Sequence, residues 1–306
     1  MTKLLCIAAL AFTAFAPAQS DGAGERSKLV VTAAWLAEHL AQPDIVLLHV
    51  GNKDTYDAGH IPGARHVDYR TTLAAPGGGG TSALTLEMLP PDVLRERLAG
   101  LGISDRSRVV VYQSDDLWTP STRVMLTLDY AGLANVMWLD GGQKAWTKAG
   151  HALTAEVPPA RTGTLSPLKL RPVVADAEFV KGKLNTPGFA IVDSRNTSFY
   201  DGTRTGGGPA APHKTGHIAG AVSVPFDTLT TADVQLKSAD ELRAVFTKAG
   251  VKPGDTVITY CHIGQQATAV LFAARTLGHK VMLYDGSFED WSRRDLPVDN
   301  PSVKKN

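Results

Sequence analysis

The chain has 306 residues, 43% of them hydrophobic, with 31 lysines and arginines against 30 aspartates and glutamates. That length and apolar content can bury a core in two domains, and the near-zero net charge supplies no basic field to hold nucleic acid or an anionic membrane. Two cysteines and nine scattered histidines offer no ligand spacing, so neither a metal nor a resident cofactor is expected.

Residues 1–18 read as a secretory signal. Lys3 precedes an apolar run from Leu4 to Ala16, and Ala16, Pro17 and Ala18 form a small-residue cleavage pattern. The run is shorter than the roughly 20 residues a membrane span needs, so the mature chain is expected in the periplasm with no membrane attachment. Cleavage removes Cys6 and leaves Cys261 as the single thiol, which can make no internal disulfide and is either silent or reactive.

The first half alternates helix 32–41, strand 45–50, helix 91–101, strand 109–112, helix 121–131 and strand 136–139. Residues 154–172, rich in Pro, Gly and Thr and without periodicity, suit an extended linker over the surface. The second half follows with strands 189–193, 221–224, 256–260 and 280–284 and with helices 239–249 and 267–277, closed by Gly250 and Gly278. Short strands alternating with helices argue two α/β domains, 29–155 and 173–299, joined by 156–172, each with a mostly parallel sheet covered by helices on both faces. Two glycine-rich stretches, 73–83 and 202–216, read as loops that serve either as plain connections or as covers for a site.

The halves repeat one another. Tyr56-Asp57 and the Gly59-His60-Ile61-x-Gly63-Ala64 turn are answered by Tyr200-Asp201 and Gly216-His217-Ile218-x-Gly220-Ala221, VVVYQ ending at Gln113 by VITYC ending at Cys261, and LDGGQKAW ending at Trp146 by YDGSFEDW ending at Trp291. Gln113 occupies the cysteine position of the first half, and it lies two positions further from Gly132 than Cys261 lies from Gly278. Chemistry is therefore expected in the second domain alone, with the first as a wall of the cleft. His60 and His217 recur in both halves and read as structural hydrogen-bonding groups. Trp146 and Trp291 read as core.

Strand 256–260 delivers Cys261 into a short loop that runs directly into a helix. Backbone N–H groups of His262, Ile263, Gly264, Gln265, Gln266 and Ala267, with the positive end of that helix, can hold an anionic sulfur and make the thiol a nucleophile. Gly264 would supply the positive φ that the curl demands. Arg195 leaves the same sheet edge and suits an anionic substrate, while Asp193 braces the strand end or the loop. His262 adds charge beside the thiolate if protonated and lines the entrance if neutral. A cysteine phosphatase needs an arginine closing such a loop, where this chain has Ala267 and Thr268. A papain-like hydrolase needs a histidine base that no spacing here supplies.

The Cys261-x-x-Gly264-x-x-Ala267 loop, the two Gly-His-Ile-x-Gly-Ala turns and the paired Asp-Gly closings together resemble the tandem-domain rhodanese family of thiosulfate and 3-mercaptopyruvate sulfurtransferases, over residues 29–299. The resemblance implies two rhodanese domains with only the C-terminal one catalytic, a Cys261 persulfide between half-reactions, and Arg195 binding the anionic donor. It favours thiosulfate, because residues 196–201 lack the second arginine expected for mercaptopyruvate and Arg204, in the glycine-rich insert, is the nearest substitute. Cyanide, a small thiol or a thiol protein would accept the sulfur. The alternatives are a 3-mercaptopyruvate sulfurtransferase and a non-enzymatic sulfur carrier or binding module. A monomer is expected, since the interdomain contact lies within one chain.

Overall fold

A computed structural model describes residues 22–77, 83–208 and 211–303; the expected signal segment 1–18 lies outside them. The first sheet contains β1 (Val30–Val31), β2 (Ile45–Val50), β3 (Arg65–Val67), β4 (Arg108–Gln113) and β5 (Val136–Leu139), in the order β1-β5-β4-β2-β3. The second contains β6 (Val174–Ala175), β7 (Phe189–Asp193), β8 (Val222–Ser223), β9 (Thr256–Tyr260) and β10 (Val281–Tyr284), in the order β6-β10-β9-β7-β8. Every pairing within these two sheets is parallel, and the two orders match strand for strand. Two α/β domains of one topology are what the sequence pattern implies.

The strands form because β-branched and apolar residues face helices on both sides. Along β2, Val46, Leu48 and Val50 enter a core shared with the second domain, while Leu47 faces the opposite side with Val110 and Leu139. Element ends move by a residue or two from expectation. Helix Ala33–His39 starts after the cap Thr32, whose side chain accepts from Trp35 N, and strand 221–224 shrinks to Val222–Ser223. Two- and three-residue strands such as β1, β3 and β6, and the short helices Gly142–Lys148 and Ser287–Arg293, carry too few residues to show a period. Residues 155–173 form no helix or strand and run over the first domain, where Gly163 N donates to Ala99 O (2.8 Å) and Leu165 is buried in the shared core.

The domains meet through equivalent parts. Helix Thr119–Tyr130 packs on helix Gln266–Thr276, the Thr122 and Thr268 hydroxyls lie 2.8 Å apart, and Asp129 receives Arg275 at 2.8 Å. The exchange is reciprocal. Asp285 of the second domain accepts from Met88 N (3.0 Å), and Asp140 of the first accepts from Leu236 N (2.8 Å). Helix Gly22–Leu29 fastens the pair, with Arg26 donating to Leu236 O and Lys237 O. At the centre, Phe272 meets Trp118 and Trp138 edge-on, at 6.5 and 5.8 Å between ring centroids.

Phe272→Ala is expected to lower the unfolding free energy by about 3–5 kcal/mol, read from urea unfolding followed by tryptophan fluorescence. An unchanged midpoint would mean that the domains do not lean on each other.

Candidate active site

Cys261 follows the last residue of β9, at the carboxyl edge of its sheet, and is 1% exposed. Its own N–H donates to Ser287 Oγ (3.2 Å), its carbonyl accepts from Phe288 N (3.0 Å), and the His262 carbonyl accepts from Glu289 N (3.0 Å). The backbone at the thiol is thereby tied to the Asp285-Gly286-Ser287 turn. The loop then curls into helix Gln266–Thr276, with Gly264 at φ +77°. A Cβ on Gly264 would lie 2.8 Å from Asp285 O and 3.1 Å from Arg123 Nη1, so glycine is required for space as well as for conformation. None of the amide N–H groups from His262 to Ala267 has a hydrogen-bond acceptor among the described residues.

Arg195 sits beside this loop, 1% exposed, with its guanidinium 4.2 Å from the Phe288 ring. Nε and Nη2 grip the Asp193 carboxylate at 2.5–3.1 Å, and Nη2 also donates to Gly216 O (2.8 Å). Nη1 makes no hydrogen bond among the described residues. Asp193 also accepts from Tyr260 OH (2.8 Å), whose oxygen receives Ile218 N (3.0 Å). Asp193 is thus a brace for both the strand end and the arginine.

His262 is largely buried, T-stacked on Phe199 at 4.5 Å, and burial with the charge of Arg195 pushes its pKa down to about 3. It is neutral and lines the entrance. The described part of the insert 202–216 packs against it: Gly206 lies against the His262 ring, and Arg204 stands 4.7 Å over Phe199.

The first domain completes the loop. Gln265 Oε1 accepts from Tyr69 OH (2.6 Å) and Arg70 Nη2 (2.9 Å), and its Nε2 donates to Thr119 Oγ1 (3.1 Å). Arg123, buried in helix Thr119–Tyr130, reaches Gly264 O (3.1 Å), Asp285 Oδ1 (2.5 Å) and Leu86 O. Thr85 is fixed by Glu289 and Met88 by Asp285. Between them, burial and the neighbouring Asp285 carboxylate push Glu87 up to about 7.

At the equivalent place in the first domain, His49 stands for Asp193, Gly51 for Arg195 and Gln113 for Cys261. Tyr112 OH lies 3.0 Å from His49 Nδ1 and receives Ile61 N at 3.1 Å, as Tyr260 does with Asp193 and Ile218. Both turn histidines are structural. His60 stacks on Tyr56 at 3.8 Å and His217 on Tyr200 at 3.7 Å, each with Nδ1 against that tyrosine's carbonyl. Trp146 and Trp291 likewise donate to the carbonyls of Ala152 and Pro297, each at 3.0 Å.

The structure brings Cys261, Arg195 and residues 262–267 together as the sequence suggests. Sequence reading missed Arg123, Asp285 and Ser287. The only signals were an arginine immediately before the apolar run Val124 to Leu128 and an aspartate repeated in both Asp-Gly closings. Among the described residues no group of three His, Cys, Asp or Glu could hold a metal, and no helix is long and apolar enough to cross a membrane.

Two parallel α/β domains, one presenting a buried thiol at the head of a loop of unpaired backbone amides and the other a glutamine in its place, define a duplicated scaffold with one cysteine among the described residues. The Rhodanese-like domain family matches this chain twice, over residues 32–149 and 176–294, and the chain belongs to that family. It is 31% identical over 293 residues to the thiosulfate sulfurtransferase of Rattus norvegicus, covering 91% of this chain and 96% of that protein. It is 29% identical over 275 residues to the sulfur carrier protein TtuD of Thermus thermophilus, covering 86% and 93%. In fold it is similar to the anaerobic ergothioneine biosynthesis enzyme of Chlorobium limicola, with a TM-score of 0.78 at 24% identity, over 90% of this chain and 71% of that one. Two rhodanese domains and a place among the sulfurtransferases follow.

Glu87 is protonated in the folded chain between its ordinary 4.5 and about 7, so its contribution to stability is complete below 4.5 and is lost as pH rises through about 7. Glu87→Gln, which mimics the protonated form, is expected to raise the thermal midpoint above that of the parent near about pH 8 and to match it near about pH 4.5. His49 and His262, both held at about 3, act in the opposite sense, losing stability as pH falls below 6.5; comparing variant with parent at each pH cancels them.

Proposed function

We propose that this protein is a thiosulfate sulfurtransferase working through a Cys261 persulfide. The observation that carries the reading is the set of unpaired amide N–H groups from His262 to Ala267 around a buried cysteine. N–H groups left without a protein partner on a loop that curls from the thiol into a helix are free to receive an anionic sulfur. In the first half-reaction the Cys261 thiolate attacks the outer sulfur of thiosulfate. A Cys–S bond forms, the donor S–S bond breaks, and sulfite leaves with the bonding electron pair. In the second, a nucleophilic acceptor such as cyanide or a thiolate attacks the outer persulfide sulfur and the Cys261 thiolate leaves.

Arg195, braced by Asp193, meets the donor's negative charge with its remaining Nη1 donor. Asp193 itself is held by Arg195 and Tyr260 and has no part in proton transfer. The 31% identity to the rat thiosulfate sulfurtransferase supports this choice of donor. A carrier function, in which another protein loads and unloads the same persulfide, draws its support from the similarity to TtuD, and a 3-mercaptopyruvate donor would rest on Arg204 as the second arginine. Residues 1–18 support export to the periplasm, which sequencing of the mature N-terminus would test.

Incubated with thiosulfate, the mature protein is expected to gain the mass of one sulfur atom in intact-mass measurement, and Cys261→Ser to gain none. Release of that sulfur to cyanide with repeated turnover marks the enzyme, whereas uptake only from a protein donor marks the carrier. Uptake from 3-mercaptopyruvate alone would reassign the donor.

A further inference from the structure

Gln265 stands at the head of helix Gln266–Thr276, 9% exposed, and all three hydrogen bonds of its side chain go to the other domain. Tyr69 OH and Arg70 Nη2 donate to Oε1, and Nε2 donates to Thr119 Oγ1. A residue at a helix head ordinarily takes an extended backbone and turns its side chain onto the amides of the first turn. Gln265 does neither. Its backbone is helical (φ −91°, ψ −60°) and its side chain makes no capping bond. The N–H groups of Gln266 and Ala267 are therefore left without an acceptor among the described residues, four to six positions after Cys261 and on the same loop.

The carbonyl of Gln265 is held as well. It accepts from Thr268 N (3.1 Å) and Thr268 Oγ1 (2.7 Å), and that hydroxyl lies 2.8 Å from Thr122 Oγ1. Helix Thr119–Tyr130 thus fixes Gln265 directly through Thr119 and indirectly through Thr122. These contacts join matching positions of the two halves. Thr119 and Gln265 are 146 residues apart, as are Thr122 and Thr268, and Gly132 and Gly278, which close the two helices, keep the same separation. In that register Gln266 answers to Pro120, which has no N–H. The half without a thiol lacks one of the amides that the half with a thiol keeps free.

Leaving a helix head uncapped costs stability, so a restraint must hold residue 265 out of the capping conformation. We infer that Gln265 is a positioning residue: its hydrogen bonds to the first domain keep the head of its helix uncapped, so that the amides of Gln266 and Ala267 stay available to the sulfur anion of Cys261. The domain without a nucleophile acts on the reaction through this side chain. The inference deepens the proposed sulfurtransferase reading and rests on it for the identity of the anion.

The test is single-turnover sulfur uptake from thiosulfate by the full chain, followed by intact mass over a range of donor concentrations, with Cys261→Ser as the blank. Gln265→Leu is expected to slow uptake at saturating donor about tenfold, the worth of one hydrogen bond to a charged group. Its half-saturating donor concentration should not change, because Arg195 is untouched. Gln265→Ser, whose short side chain can cap the helix, should melt higher than Gln265→Leu and yet load no faster. Tyr69→Phe should slow uptake in the parent and have no effect in Gln265→Leu, since the bond it breaks is already gone there. Parent-like uptake by Gln265→Leu, rates that follow the thermal midpoints, or a Tyr69→Phe effect that is absent from the parent or equal in both backgrounds would each overturn the inference. If thiosulfate does not load the parent, the same comparison is run with inorganic polysulfide, so the donor can be wrong while the role of Gln265 stands. A parent that takes sulfur from neither overturns both.

Discussion

The pairing of Arg123 with Asp285 is the contact on which the site's geometry depends. Their side chains are 2% and 5% exposed and 2.5 Å apart, and taking two charges out of water is repaid only when their remaining donors and acceptors are also filled. Here they are. Arg123 also donates to Gly264 O and Leu86 O, and Asp285 also accepts from Met88 N. One ion pair thus pins a helix of the first domain, the segment around residue 86, the turn after β10 and the loop that holds the thiol. Remove either partner and an uncompensated buried charge remains under Gly264, with the curl left to the contacts of Gln265 and of the Ser287 turn.

Duplication supplied the frame, and its two copies were then made unequal at a few points. The tyrosine-centred networks under Tyr112 and Tyr260 survive in both halves, because each satisfies the backbone of a Gly-His-Ile turn. What differs lies at the carboxyl edges of the sheets. Gly142, at φ +56°, takes the place of Ser287 at φ +52°. A Cβ there would lie 2.5 Å from Gln113 O and 2.7 Å from the Gln113 side chain, whereas in the second domain Ser287 is accommodated and its hydroxyl accepts the Cys261 N–H. A non-glycine residue in the left-handed region costs roughly 1–3 kcal/mol, and at this turn the chain bears that cost only in the half with the thiol. Arg123 breaks the symmetry in the same way, since its equivalent, Ala269, offers the first domain nothing.

Much of this was legible in the sequence. Strands and long helices followed from their apolar periods, the duplication from four landmarks in one order, and the grouping of Cys261, Gly264 and Arg195 from the rule that parallel strands release their ligands at one edge. Arg123 was not legible, because a cation in a helix reads as solvent-facing until its partner, 162 residues away, is known. Ser287 was hidden for another reason: serine in an Asp-Gly-Ser turn carries no mark of its backbone angle. His213 sits in a stretch whose glycines suggest only a loop, and its burial arises from Phe288 and His262, contacts that no local pattern encodes.

The electrostatics of the proposed site suit one kind of chemistry. Both imidazoles near Cys261 are held neutral, and Tyr260 is kept protonated by burial and by Asp193, so no nearby imidazolium stands ready to give a proton to a leaving group. Hydrolytic chemistry would suffer from that lack, because an amine or alkoxide leaves poorly without a proton. Sulfur transfer does not. Sulfite and thiolate both leave as stable anions, and what they need is positive potential that persists while the negative charge moves from donor to cysteine sulfur and on to the acceptor. Fixed amide dipoles and a braced guanidinium supply that potential without titrating.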